Sequence, residues 1–184
     1  MVAIQSDSAD EAGYTLGARV LHWLTAAIVL VMIPIGIVMA NLDLGPSGDI
    51  LYDIHRSLGA ILLPIVVVRL LYRWWQPPPA LPADIAPAQQ LAAHFTHWAL
   101  YLLLLAQAIV GWVATSAYRA PIKVFWLFEL PPIWPVDQAF SERAFALHRW
   151  IGFALVAVIG MHVAAALFHH FVRKDRVLLR MVSG

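Results

Sequence analysis

Eight histidines are the residues of this chain best suited to chemistry: His22, His55, His94, His97, His148, His162, His169 and His170. All fall within or at the edges of long apolar stretches. An imidazole surrounded by lipid is costly without a partner, so a ring in such a segment is a functional candidate by default. The 184 residues include no cysteine. That excludes disulfides, iron–sulfur clusters, thiolate ligation and covalent CxxCH haem attachment. What remains is imidazole chemistry: proton relay, hydrogen bonding and metal ligation through nitrogen. A lone membrane histidine is about as well explained by a bond to a backbone carbonyl or by a seat at the headgroup level. Eight of them in the arrangement below are not.

The elements that must position these rings are four apolar segments, at about residues 20–40, 54–75, 94–117 and 145–172. Each is long enough to cross about 30 Å of hydrocarbon at 1.5 Å per residue. In lipid the backbone must satisfy its own hydrogen bonds, so each is expected to be a helix, with Pro34 and Pro64 inside the first two. Composition agrees. Hydrophobic residues make up 61%, charged residues 12%, and mean hydropathy is +0.75, far from the soluble norm. The expected fold is all-α, a transmembrane four-helix bundle running up-down-up-down, as one membrane-embedded domain over residues 1–184. Net charge is +1 and no basic stripe is present, so nucleic acid is not an expected partner. Residues Met1 to Gly17 are polar and acidic without a basic n-region, so the first apolar segment is expected to remain as an anchor. Prolines and glycines mark loops at residues 41–53, 76–90 and 119–142. Within the last, KVFWLFEL is expected to form a short interfacial helix. Arg19, Arg73, Arg173, Lys174, Arg176 and Arg180 fall on one side of the membrane. Arg56, Arg119, Lys123, Arg143 and Arg149 fall on the other. The bias places both termini in the cytoplasm.

With that topology His55 and His148 share the outer depth. His162 follows His148 by 14 residues, nearly four turns, so both rings leave the same helix face about 21 Å apart. His162 then approaches His22 at the inner depth, although His97 lies at that depth as well and depth alone does not choose between them. Two opposed imidazoles at one level make a six-coordinate, bis-histidine haem site, suited to electron transfer rather than oxygen activation. Gly59, Gly111, Gly152 and Gly160 could let a flat macrocycle approach, or could simply serve helix packing.

The segments VLHWLTA, IHRSLGAILLPIVVVRLLYR, HWALYLLLLAQAIVGW and LHRWIGFALVAVIGMHVAAALFHHFVRKDRVLLRM resemble the bacterial cytochrome b561 family, over about Arg19 to Met181. The resemblance implies four transmembrane helices in the bacterial inner membrane and two b haems. It assigns the axial iron ligands to His22, His55, His148 and His162, leaving His97 over. It further implies electron exchange with ubiquinone. Members similar to superoxide oxidase take an electron from periplasmic superoxide and deliver it to quinone near the cytoplasmic side. His97 and His169 match positions implicated there in quinone binding, and His94 and His170 are expected to be peripheral. Arg56, Lys123, Arg143 and Arg149 are candidates for steering a small anion. Arg56 and Arg149 each follow an outer ligand directly and could instead contact propionates. Asp43, Asp49, Asp53, Glu129, Asp137 and Glu142 lie on the same side and weaken a positive funnel. Arg69 and Gln107 could bond a propionate, a quinone or a neighbouring helix. The competing reading is an electron-transfer subunit serving a periplasmic dehydrogenase or hydrogenase. A transporter or non-haem metal channel fits the paired depths poorly.

Overall fold

In the computed structural model, which describes residues 13–42, 45–82 and 84–184, four long helices carry almost all the regular structure. They are α1 (Leu16–Asn41), α2 (Pro46–Trp75), α3 (Pro87–Tyr118) and α4 (Gln138–Phe168). Thr15 and Asp137 cap α1 and α4 by accepting from the backbone N–H of Ala18 and Phe140, which satisfies donors that have no partner within the helix. Helices α2, α3 and α4 begin about seven or eight residues before the apolar runs do. The reason for α2 and α3 is local: proline stands in the first turn of each, where its missing N–H costs nothing, so it starts the helix instead of closing the loop. Pro34 and Pro64 lie inside α1 and α2.

Every one of these helices is long and apolar enough to cross a membrane, and the chain is a multi-pass membrane protein. Consecutive helices pack side by side, giving a four-helix bundle. Its centre is an apolar cluster of Ile28, Val29, Leu62, Val66, Tyr101, Leu104 and Leu155. Leu30, Val68, Leu102 and Phe153 are turned outward, as expected where the surrounding medium is lipid.

The KVFWLFEL stretch is not the short helix its apolar composition suggests. It forms an antiparallel hairpin, β1 (Ile122–Val124) with β2 (Phe128–Leu130), pairing Lys123 with Glu129. The cause is a period-two pattern: Ile122 and Val124 are buried while Lys123 between them is exposed. A bond from Leu127 N to Val124 O, 3.0 Å long, closes the turn. Phe125 and Trp126 sit within it at φ of 45° and 59°. The hairpin is fastened to α2 by main-chain groups. Phe125 N donates to Ser57 Oγ (2.8 Å), Ser57 Oγ lies 3.0 Å from Lys123 O and 2.7 Å from Asp53 O, and Arg56 donates to Pro121 O (2.7 Å). On its other flank Trp112 donates to Pro131 O (3.1 Å) and Ile133 N to Ser116 Oγ (3.2 Å).

After α4 the chain widens into one π-helical turn, His169–Arg173, and reverses at Lys174, whose φ is 57°. A short helix, α5 (Leu179–Val182), follows. This tail returns to α1. Tyr14 N donates to Arg180 O (3.1 Å), Trp23 Nε1 to Met181 O (3.1 Å), and the Arg19 guanidinium to Val182 O. Both ends of the described chain therefore lie on the same side of the bundle. Asp43 and the first twelve residues, which bear on the acidic outer charge and the absent leader pattern, lie outside the described residues.

Ser57 is 1% exposed, so Ser57→Ala strands the Phe125 N–H and costs about 1–3 kcal/mol. The expected result is a lower thermal midpoint in detergent, with faster proteolytic cutting of the 121–131 segment than of any helix.

Candidate functional site

The interval that separates His148 from His162 on α4 recurs on every helix of the bundle. Fourteen residues also separate His22 from Gly36 on α1, His55 from Arg69 on α2, and His97 from Gly111 on α3. Four turns return a side chain to nearly the same face, so each helix presents one residue to each of two levels. One level carries Gly36, His55, Gly111 and His148. The other carries His22, Arg69, His97 and His162. The apolar cluster around Val66 and Leu104 lies between them.

At the first level the His55 and His148 ring centres are 6.3 Å apart, with their planes at 77°. Glycine on the two remaining helices makes room for them. A Cβ on Gly36 would stand 3.2 Å from the His55 ring, and one on Gly111 3.0 Å from the His148 ring. The Gln107 amide donates to His148 Nε2 (3.0 Å). His55 Nδ1 and His148 Nδ1 are buried with no hydrogen-bond partner. At the second level the His22 and His162 ring centres are also 6.3 Å apart, at 64°. His97 stands on the other side of His162, at 5.4 Å. Arg69 donates to His22 Nδ1 (2.7 Å), and its guanidinium lies over the Tyr101 ring, 5.2 Å from the centre.

These residues fit a porphyrin iron. A metal held end-on between two imidazole nitrogens at about 2 Å from each puts the ring centres about 6–6.5 Å apart. Both 6.3 Å pairs match that span, and the 5.4 Å contact of His97 falls short of it. A six-coordinate haem takes two axial donors from the protein, which is what each pair offers. Among the described residues no cluster of three or more His, Cys, Asp or Glu could hold a bare ion. The unpartnered nitrogens of His55 and His148 are the kind of buried polar atom that calls for a ligand.

The prospective quinone residues stand in different surroundings. His97 is half-buried against His162. His169 opens the π-helical turn, and its Nδ1 bonds Asp175 Oδ2 at 2.5 Å. Arg173 donates to the same oxygen (3.2 Å) and to Asp84. Burial raises the pKa of Asp175, but hydrogen bonds from His169, Val177 N–H and Arg173 outweigh that and bring it below the usual value. His94 bonds the Gln90 carbonyl (2.8 Å) and is exposed. Of the anion-steering candidates, Arg56 spends its donors on Tyr52 O and Pro121 O and lies 3.8 Å from Asp53. Lys123, Arg143 and Arg149 are exposed.

Of the four glycines expected to admit a macrocycle, Gly111 abuts a candidate ligand. Gly152 faces Gln107 (3.3 Å), Gly59 faces Met32 (3.6 Å), and Gly160 has no neighbour within 4 Å. Gly36 was not among the expected positions, although its 14-residue spacing from His22 was available to find it. The same spacing from His55 would have placed Arg69 at the second level.

The family described as prokaryotic cytochrome b561 matches residues 13–184 of the chain. Cytochrome b561 homolog 2 of Escherichia coli is 37% identical, across 92% of this chain and 91% of its own. Probable superoxide oxidase CybB of Yersinia pestis is 29% identical, across 88% and 91%. Cytochrome b562 of Cereibacter sphaeroides is 28% identical, across 94% and 97%.

Two outcomes follow from the geometry. Gly111→Val pushes the His148 ring from its seat, so the purified protein is expected to bind less haem per chain by pyridine haemochromogen assay. Gly160→Ala, which adds its Cβ to open space, is expected to leave haem content unchanged. Second, a carboxylate whose folded pKa is depressed adds stability above its unfolded value of about 4, and that stability is lost as pH falls through the folded value. Acid titration followed by hydrogen exchange is expected to loosen residues 169–182 below about pH 4 in the native chain. In Asp175→Asn the same segment is expected to be loose already at neutral pH, with no further acid step.

Proposed function

We propose that this chain, which belongs to the prokaryotic cytochrome b561 family, carries two b-type haems and moves electrons from periplasmic superoxide to ubiquinone. The observation that carries the reading is the pair of 6.3 Å histidine contacts at levels four turns apart. On this reading the chain is a single membrane-embedded domain of the bacterial inner membrane, with both termini in the cytoplasm. His55 and His148 hold the outer haem, and His22 and His162 the inner one. When bound, each haem would supply one-electron chemistry, held by its pair of histidines.

The reaction balances as two superoxide anions, one ubiquinone and two protons giving two molecules of oxygen and one ubiquinol. Each superoxide loses one electron at the outer face, and the quinone receives two electrons and two protons at the inner face. The chain's own residues do the rest. Lys123 and Arg149, exposed near the outer pair, draw the anion in, while Arg56 is occupied in bracing α2 against the hairpin loop. His97 and His169 bond the quinone oxygens and pass protons to them. Asp175, bonded to His169 Nδ1, holds that ring in one tautomer and orientation.

One observation favours a second reading. The hairpin tip exposes Trp126, Leu127 and Phe128 together on the outer side, a surface on which a periplasmic dehydrogenase or hydrogenase module could dock and deliver electrons directly. Rapid mixing with superoxide separates the two. Haem reduction well above the uncatalysed rate, followed by reoxidation when ubiquinone is supplied, is expected for the first. Charge reversal at Lys123 together with Arg149 is expected to slow it about 10-fold or more at low ionic strength, with the difference shrinking as salt is added. Haems that stay oxidised in superoxide would leave only the docked-partner reading. A colourless protein would end both.

A further inference from the structure

The two levels differ in one respect that bears on the direction of electron flow. Where the outer level has glycine on α1 and α3 beside its histidines, the inner level has Arg69 on α2 and His97 on α3. Arg69 is half-buried in a membrane-spanning helix, touches His22 Nδ1 at 2.7 Å and rests over the buried Tyr101 ring. Among the described residues no carboxylate pairs with it. A guanidinium keeps its charge in proteins and donates only, so the inner pair has a fixed positive charge against one of its rings. The corresponding contact at the outer pair is the neutral Gln107 amide, 3.0 Å from His148. The outer cations do not cancel this difference. Arg56 lies beside Asp53 and Arg149 is exposed, where solvent and salt screen it.

We infer that Arg69 raises the reduction potential of the inner haem site above that of the outer one and so makes outer-to-inner transfer downhill. The inference rests on the two-haem reading given above. The physics is Coulombic. Reducing a ferric haem removes one positive charge, so a nearby cation disfavours the oxidised form more than the reduced form. The effect is large at this site because the low-dielectric interior screens it weakly. Arg69 is a positioning and tuning residue and does not itself carry electrons.

An optical redox titration of the purified holoprotein tests this, read beside its haem content. The wild type is expected to show two midpoint potentials. His148→Ala and His162→Ala, each retaining one haem, assign them, and the haem kept by His148→Ala is expected to be the higher. Arg69→Gln keeps a polar amide beside His22 and removes the charge. It is expected to lower the inner potential by at least 59 mV, a tenfold fall in the reduced-to-oxidised ratio for one electron, while the outer potential stays in place. Arg69→Lys keeps the charge and is expected to hold most of the inner potential. The inference is overturned if the outer haem is the higher in the wild type. It is also overturned if Arg69→Gln leaves the inner potential where it was, or if Arg69→Lys lowers it as far as Arg69→Gln does. Should Arg69→Gln lose its inner haem, the wild-type assignment and Arg69→Lys still decide. A chain that binds other than two haems fails the underlying reading instead, and the haem assay shows that before any potential is measured.

Discussion

Rings from separate helices can oppose one another only if those helices are held at a fixed depth relative to each other. A slip of one residue moves a ring about 1.5 Å along the axis and turns it by about 100°, enough to break a 6.3 Å pairing. The rest of the structure serves that registration. The central layer of Leu62, Val66, Leu104 and Leu155 interlocks α2, α3 and α4 between the two histidine levels. Fixing the middle of the bundle fixes both ends at once, because both levels are reached by the same four-turn step.

Each level is also braced at its own end of the bundle. At the outer end the hairpin and the start of α4 are stitched to α2 and α3. Ser141 donates to Ala114 O (3.0 Å) and Asp137 N to Ala117 O (3.1 Å). At the inner end the tail after α4 crosses to α1 and bonds beside His22 through Trp23. The π-helical turn at His169 has a function in this arrangement. It shifts the chain out of helical phase so that Asp175 comes back onto His169. Such turns recur at working sites because they re-aim side chains without ending a helix.

Much of this was legible in the residues, and the reasons differ from place to place. The four spans and the depths of His22, His55, His148 and His162 follow from hydropathy and helical rise, which lipid enforces strictly. Depth could not separate His22 from His97 as the partner of His162. The two contacts differ, at 6.3 and 5.4 Å, through side-chain packing that residue type does not reveal. Gly36 abuts the His55 ring of a neighbouring helix, a contact between helices that residue type alone does not announce. By composition the hairpin resembles a helix because Phe125, Trp126, Leu127 and Phe128 make its middle uniformly apolar, and that hides the short alternation at Ile122, Lys123 and Val124. The tail's return to α1 left no trace in residue type because backbone carbonyls of Arg180, Met181 and Val182 carry it.

The hairpin turn places two bulky aromatic residues in a backbone conformation that Asn–Gly would adopt with far less strain. Yet the loop is secured to the bundle by main-chain atoms of residues 121, 123 and 125, so the identity of the side chains at its tip hardly affects how it is seated. Anchoring and display are thus separable. The tip can be rewritten over evolutionary time, changing what settles against the outer face, while the histidine two positions before Ser57 keeps its place.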